Sequence, residues 1–193
     1  MIEKSLVILK PDAVQRGIMG ELLTRFERTG LKVVAAKMTL PDRALTEKHY
    51  LKDETWHRKV GENNLKDCEK FGVNPMDYYG VNDPVGVGKV INEWLFDALL
   101  VGPVLAFIIE GPQAVAKIRA LVGTTYPDLA APGTIRGDYS VDSAFASLVR
   151  KRSVFNLIHA SGASDEAVEE IKLWFKPEEI FSYKRVEDEL YNY

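Results

Sequence analysis

The feature that most constrains the fold is a set of unbroken apolar runs. The first, Leu6–Leu9, stops at Lys10 and Pro11, and another covers Pro103–Ile109. An uninterrupted apolar run of this length is typical of a strand that is buried on both faces. The pattern therefore favours a sheet with other elements packed over it.

The stretches between these runs have their own periodicity. Apolar residues at helical spacing predict helices over 20–28, 44–51, 87–100, 112–122 (opened by Pro112) and 164–175 (capped by Ser164). Further strands are predicted at 32–40 and 157–158, a loop at 124–136 and a short helix within 138–152. From 52 to 83 the pattern is weak and polar. Strands separated by helices in this way predict an α/β fold with helices covering a four-stranded sheet.

Composition excludes several classes of protein. A chain of 193 residues is expected to form one domain, and a net charge of −3 weighs against a dedicated nucleic-acid binder. The apolar runs are too short to cross a membrane, and the N-terminal residues lack a signal-peptide pattern. Cys68 is the only cysteine, which excludes a disulfide framework and a cysteine-based zinc site. We expect a cytoplasmic protein.

Histidine is scarce, and one histidine has a suggestive position. The three are His49, His57 and His159, and His159 ends a short apolar strand just before a predicted helix. This position suits nucleophilic or acid–base chemistry. Glu170 on that helix could hold one ring nitrogen and leave the other free. The alternatives are a buried histidine bonded to the backbone and an ordinary solvated glutamate.

Three cations lie at the ends of elements or in loops, where they could converge on phosphate. They are Lys10, Arg119 and Arg136, with Thr125 and Asn156 as neutral hydrogen-bonding groups. Each cation alone could equally be a surface charge. The chain contains neither the GxxxxGK[ST] nor the GxGxxG motif, so a phosphate site would have to be built from side chains.

The residues also carry a resemblance to a known family. The stretches are ILKPDAVQRGIMGELLTRFERTGLKVVAAKM (8–38), HY (49–50), GPVLAFIIEG (102–111), PGTIRGDY (132–139), NLIHAS (156–161) and LWF (173–175). Taken together and in this order, they resemble the nucleoside diphosphate kinase family over most of the chain.

The resemblance implies a fold and a reaction. The fold would be α+β, with a ferredoxin-like antiparallel sheet of four strands, in a single domain over 1–193. A nucleoside triphosphate would phosphorylate His159, and a nucleoside diphosphate would then collect the phosphoryl group in a ping-pong mechanism. The resemblance also implies Mg²⁺, held mainly through the nucleotide phosphates with no protein ligand, and a homo-oligomer, hexameric or tetrameric, built from dimers.

Matching the family's motifs residue by residue implies the rest of the site. The residues that match its nucleotide-binding groups are Lys10, Tyr50, Arg119, Thr125, Arg136 and Asn156. Ser161 and Glu170 match its supporting hydrogen-bond partners.

The chain departs from the family pattern at three places. An insertion is expected at about 52–100, and Trp56 within it either stacks on the base or packs the insertion onto the body. An extended loop is expected at about 139–155, with a basic triplet at 150–152. The acid after the His-Ala-Ser motif is displaced to Asp165, which leaves its role open. The aromatic tail 176–193 either packs or frays.

Three alternatives to an active kinase have different sequence requirements. A non-catalytic nucleotide-binding regulatory homologue would be expected to lack some of the site residues, yet all are present. A nucleic-acid-binding module is disfavoured by the net charge and by the lack of an aromatic strand motif. Metal binding by His49, His57 and Cys68 has no recognisable ligand spacing.

Overall fold

The computed structural model describes residues 2–190. Four strands form one sheet: β1 (Ile2–Leu9), β2 (Lys32–Thr39), β3 (Val104–Pro112) and β4 (Ile158–Ala160). Their order across the sheet is β2-β3-β1-β4, and each neighbouring pair is antiparallel. The predicted four-stranded antiparallel α+β fold is confirmed.

The helices connect the strands and cover both faces of the sheet. They are α1 (Pro11–Gln15), α2 (Met19–Glu27), α3 (Arg43–His49), α4 (Glu54–Phe71), α5 (Pro75–Tyr79), α6 (Pro84–Leu100), α7 (Ala114–Val122), α8 (Ile135–Tyr139), α9 (Ala144–Val149), α10 (Ser164–Trp174) and α11 (Val186–Leu190). Short 3₁₀ turns lie at Pro127–Leu129 and Pro177–Glu179. Within residues 2–190, none of these helices is both long and apolar enough to span a membrane.

The central strand β1 supplies side chains to two cores because successive residues point to opposite faces. Val7 and Leu9 pack with the buried faces of α2 and α7, among others. Leu6 and Ile8 pack with residues of α6 and α10. All four are fully buried, which explains why this stretch is apolar without interruption.

Helices α4 and α6 pack together beside the sheet, over a small third core around Cys68 and Tyr79. They approach so closely that a Cβ at Gly61 would collide with the Pro84 carbonyl, and one at Gly88 with the His57 carbonyl. Asp53 caps the start of α4, and Gly72 ends it in the left-handed conformation with φ 67°. The polar stretch 52–83 therefore contains a long helix that the sequence pattern did not reveal.

Several predicted boundaries were wrong. Pro112 is the last residue of β3 and does not open α7, which follows a left-handed Gln113. Ser164 is the first residue of α10, and Ala163 occupies the cap position. The loop predicted at 124–136 includes the start of α8, so Arg136 lies in a short helix. The helix predicted within 138–152 is α9.

The segment after α10 runs along the outer edge of β2. The Phe181 amide donates to the Val34 carbonyl at 2.8 Å, and the Tyr183 hydroxyl donates to the Val33 carbonyl at 2.7 Å. Lys37 on β2 forms an ion pair with Glu179 at 2.8 Å. The tail is therefore packed over this part of its length, whereas 191–193, with Tyr191 and Tyr193, lie outside the described residues.

Candidate active site

His159 projects from the middle of β4, where it pairs with Ile8 of β1. Its Nε2 atom is buried 2.9 Å from Oε1 of Glu170, and its side chain is 17% exposed. The two nitrogens of an imidazole point in divergent directions, so this contact leaves Nδ1 directed away from the carboxylate. The structure thus brings Glu170 to one ring nitrogen of His159.

The Glu170 carboxylate is fixed from its other side. It is buried on α10, and its Oε2 accepts a hydrogen bond of 2.6 Å from the Ser161 hydroxyl. The Ser161 oxygen in turn accepts from the Leu6 amide at 3.2 Å. Ser161 therefore connects Glu170 to the central strand, and Glu170 in turn contacts His159.

A second histidine, which sequence reasoning did not place here, lies directly against the first. The rings of His49 and His159 are 4.4 Å apart between centroids, at an interplanar angle of 81°. Burial, and secondarily the neighbouring His159, lower the pKa of His49 well below its ordinary value. The next residue, Tyr50, is buried with its ring 6.4 Å from His159, and burial raises its phenol pKa. His49 is thus a neutral group in a dry environment.

Lys10 follows β1 directly, and its ammonium group is almost completely buried. It donates to Oδ1 of Asn156 at 2.7 Å and to the Val154 carbonyl at 3.3 Å. Burial lowers the Lys10 pKa to about 8, partly opposed by the charge of Asp12. The Asn156 amide also donates to the Thr125 carbonyl at 2.9 Å, which joins three of the predicted residues in one network.

The backbone between Asn156 and His159 has an unusual conformation. Leu157 has φ 68°, and the Ile158 amide donates to the Asn156 carbonyl at 2.8 Å, which closes a three-residue turn. Asp12 accepts from the Leu157 amide at 2.9 Å. A non-glycine residue in this region is strained and persists only where its surroundings enforce it. Sequence reasoning missed Asp12, although it stands in the KPD motif.

Arg136 is engaged with backbone carbonyls over most of its guanidinium group. It donates to the carbonyls of Gly123 (3.1 Å), Thr124 (3.1 Å), Asn156 (3.1 Å) and Ile158 (2.6 Å). A guanidinium has five N–H donors, so these bonds leave one. Burial, followed by the charge of Arg119, lowers the Arg136 pKa to about 10. Arg136 therefore braces the turn that precedes His159.

Arg119 and Thr125 are exposed at the mouth of the site. Arg119 lies near the end of α7 and close to Gly162, where a Cβ would come 3.8 Å from its guanidinium. Thr125 lines a cavity of about 370 Å³ that is continuous with the network around Asn156 through Val154. Trp56 lines the same cavity from α4, together with Ile91 and Trp94. Trp56 thus lies at the edge of the site, near the other predicted residues.

The displaced acid does not join this cluster. Asp165 lies in the first turn of α10, and its carboxylate accepts from the Glu166 amide at 2.9 Å. The Glu166 carboxylate accepts from the Gly162 amide. Both contacts order the turn after β4, although neither caps the N-cap residue Ala163 of α10. Asp165 makes no hydrogen bond or ion pair with His159 among the described residues.

Among the described residues, His49, His159 and Glu170 form a group whose ligand atoms lie within 4.8 Å of one another. The predicted alternative set of His49, His57 and Cys68 does not form such a group. Two nitrogens and one oxygen suit Mg²⁺ poorly, since Mg²⁺ prefers oxygen ligands in octahedral geometry.

Comparison with known protein families gives one strong match. The family model described as nucleoside diphosphate kinase matches residues 3–60 and 86–180. The nucleoside diphosphate kinase of Pyrobaculum aerophilum is 45% identical over 179 residues, which cover 93% of this chain and 98% of that protein. The nucleoside diphosphate kinase of Borreliella burgdorferi is 39% identical over 193 residues, 100% of this chain and 98% of that protein.

Two solved structures are similar over nearly the whole chain. The NDP kinase from Pyrobaculum aerophilum superposes with a TM-score of 0.91 at 43% identity, and the match covers 94% of this chain and 100% of that one. A transition-state mimic of the Borrelia burgdorferi enzyme, with bound vanadate and ADP, has a TM-score of 0.78 at 37% identity, and covers 98% of this chain and 96% of that one.

Proposed function

The chain belongs to the nucleoside diphosphate kinase family and transfers the terminal phosphoryl group from a nucleoside triphosphate to a nucleoside diphosphate, and we propose that Nδ1 of His159 is its nucleophile. The observation that carries this proposal is the contact between His159 Nε2 and Glu170, 2.9 Å long. Nε2 has no aligned hydrogen-bond partner among residues 2–190, but the charge of a carboxylate this close still favours the tautomer with the proton on that nitrogen. The lone pair is then on Nδ1.

The transfer occurs in two matched steps. In the first, a bond forms between Nδ1 and the terminal phosphorus as the bond from that phosphorus to the bridging oxygen breaks, and the electron pair leaves with the diphosphate. In the second, an oxygen of the acceptor diphosphate attacks the same phosphorus and the bond to Nδ1 breaks. Glu170 stabilises the ring while it carries the phosphoryl group, because a negative charge at Nε2 offsets the positive charge that develops on the imidazole.

Two arginines are placed to contact the phosphates. Arg119 is exposed and makes no hydrogen bond with the backbone of residues 2–190, so we propose that it makes the main contact with the phosphates. Arg136 has one donor left for phosphate and chiefly holds the turn before His159. Thr125 and Tyr50 add hydroxyl groups. Transfer of this kind depends mainly on position and on charge around the phosphate oxygens.

We assign ribose contacts to Lys10 and Asn156, whose side chains form the 2.7 Å hydrogen bond beside the cavity. The base then lies in the cavity lined by Trp56. Trp56 stacks on the base in this arrangement, which its position on the cavity wall supports. The alternative, in which Trp56 packs α4 onto the body, is compatible with its half-buried state.

We propose Mg²⁺ as the cofactor, held through the nucleotide phosphates. The donor set of His49, His159 and Glu170 favours this arrangement over a protein-held ion, since it offers a single oxygen ligand. When bound, the ion would neutralise phosphate charge. The chain's own contribution is to position the nucleotide and the nucleophile.

We propose a cytoplasmic location from the composition and the short apolar runs. The hexameric or tetrameric assembly, the insertion at about 52–100 and the extended loop at about 139–155 are proposed from the resemblance alone. The family model leaves 61–85 unmatched, within the predicted insertion. A non-catalytic homologue is not favoured.

The test is the mass of the intact protein after mixing with Mg·ATP. Wild type should gain one acid-labile phosphoryl group that is discharged by GDP with formation of GTP, and His159→Ala should gain none. His57→Ala, a histidine on α4 outside the cluster, is the matched control and should behave as wild type. A normal adduct on His159→Ala would refute the assignment.

A further inference from the structure

The buried His49 has no part in the transfer described above, yet it contacts the nucleophile. Its side chain is completely shielded from solvent, and its ring meets that of His159 edge to face at 4.4 Å. Burying an imidazole without pairing both nitrogens costs free energy, so its presence here calls for a physical reason.

A hydrogen bond from α10 determines which nitrogen of His49 carries the proton. The indole nitrogen of Trp174 lies 3.3 Å from His49 Nδ1, and an indole N–H can only donate. Nδ1 must therefore present its lone pair. The neutral ring then carries its proton on Nε2, which is buried and has no hydrogen-bond partner among residues 2–190. This tautomer has no lone pair free for a metal ion.

Glu170 lies within reach of both histidines. Its Oε1 is 2.9 Å from His159 Nε2 and 3.7 Å from His49 Nδ1. A neutral His49 ring that carried its proton on Nδ1 could donate it to Oε1 and compete with His159 for this carboxylate oxygen. The other polar or charged groups that act on His49 are Lys52, which disfavours its protonation, and Tyr50, whose ring is 4.6 Å away.

We propose that Trp174 and His49 are positioning residues that reserve the Glu170 carboxylate for the nucleophile. The indole N–H occupies His49 Nδ1, so His49 cannot take a proton there and cannot compete for Oε1. The His49 ring also packs against His159 and limits rotation of its imidazole. The inference rests on the proposed role of His159 as nucleophile.

The test is the variant Trp174→Phe, which keeps an aromatic ring and removes the N–H donor. The rate of phosphohistidine formation from Mg·ATP is measured by rapid quench between pH 5 and 9. We expect a rate about fivefold lower with nucleotide affinity within about twofold of wild type. The loss should be similar from pH 6 to pH 9, because burial still keeps His49 neutral, while its ring can now carry its proton on Nδ1 and donate it to Oε1 of Glu170. NMR of the ¹⁵N-labelled histidines should show this shift of the His49 proton from Nε2 to Nδ1 in the variant.

The double variant Trp174→Phe/His49→Phe separates this effect from a general loss of packing. Phenylalanine keeps a ring beside His159 and has no N–H to donate to Glu170, so the rate should return to within about twofold of wild type. His57→Phe is the matched control and should leave the wild-type rate unchanged. A His49 proton that stays on Nε2 in Trp174→Phe, or a rate that stays low in the double variant, would overturn the proposal. Loss of the adduct on wild-type His159 would instead refute the proposed nucleophile.

A measurement on the unaltered protein covers the case in which Trp174→Phe fails to fold. The chain has three histidines, so their ring nitrogens can be resolved by NMR after ¹⁵N-histidine labelling. We expect His49 to keep its proton on Nε2 from pH 5 to 8. A proton on Nδ1 within that range would refute the proposed arrangement.

Discussion

Nucleotide binding should be accompanied by uptake of a proton at Lys10. Burial lowers its pKa to about 8, so in the free protein the ammonium group loses its proton within the usual range of assays. Phosphate charges and ribose oxygens at the site favour the protonated form and raise the pKa again. Each binding event therefore takes up the fraction of a proton that the free lysine has lost.

The magnitude follows from the pKa. In the protein without nucleotide, Lys10 is about one-tenth deprotonated at pH 7, about half at pH 8 and about nine-tenths at pH 9. Uptake should rise accordingly, to about 0.5 proton per nucleotide at pH 8. The nucleotide itself contributes little here, since its last phosphate proton is lost near pH 6.

Titration calorimetry measures this uptake directly. Mg·ADP is titrated at pH 7, 8 and 9 in pairs of buffers that differ in ionisation enthalpy, and the difference in observed heat gives the number of protons. Lys10→Met should abolish the rise, and Lys89→Met, which removes an exposed lysine on α6, should retain it. Uptake that stays near zero at pH 9 in wild type would refute the reasoning.

The same pKa fixes the sign of a stability effect. The folded-state pKa of Lys10 lies below the ordinary value of 10.5. Between these two values the unfolded chain binds more protons than the folded one, so this group adds stability as the pH rises through that window. Lys10→Met should remove this pH-dependent gain.

Two further changes test the packing around the site. Gly88→Ala should lower the free energy of unfolding by about 3 kcal/mol, because its Cβ meets the His57 carbonyl at the crossing of α4 and α6; the control Gly20→Ala, in open space on α2, should raise it by about 0.5–1 kcal/mol. Urea denaturation measures the free energy of unfolding of both variants, and equal values would contradict the close approach of α4 and α6 at Gly88. Arg136→Lys should cost about 2–3 kcal/mol and lower kcat/KM at least about tenfold, because a lysine cannot span four carbonyls. Steady-state kinetics measure kcat/KM for Arg136→Lys and for the control Arg28→Lys, which changes an exposed residue. A kcat/KM for Arg136→Lys within about threefold of wild type would show that the four bonds from Arg136 to backbone carbonyls are dispensable.

The strands could be predicted from the sequence because buried strands consist of consecutive apolar residues, which are visible locally. Leu6–Leu9 is buried on both faces, and a short apolar run that ends before a proline is typical of such a strand. Helix α4 lacked such a signal. It packs against a small core of its own around Cys68 and Tyr79, so most of its residues stay polar and few apolar side chains mark its buried face.

For a similar reason, the sequence indicated some residues of the site and not others. Lys10, Asn156 and His159 stand in short motifs, and the fold brings them together. Trp174 and His49 are 125 residues apart and meet only through the packing of α10 on α3, which no local pattern encodes. The hydrogen bonds from Arg136 to backbone carbonyls could not be predicted either, because every residue has a backbone carbonyl whatever its side chain.

The position of β1 in the sheet has a consequence for folding during synthesis on the ribosome. The first strand to be synthesised is also the central one, and its partners come late: Leu6 pairs with Ile108, and it bonds to Ser161, 155 residues further along. At about 5–20 residues per second, the apolar run Leu6–Leu9 waits several seconds for its first partner strand and longer for the second. His159, the proposed nucleophile, is synthesised with that second strand, so the sheet and the proposed active site are completed by the same late event.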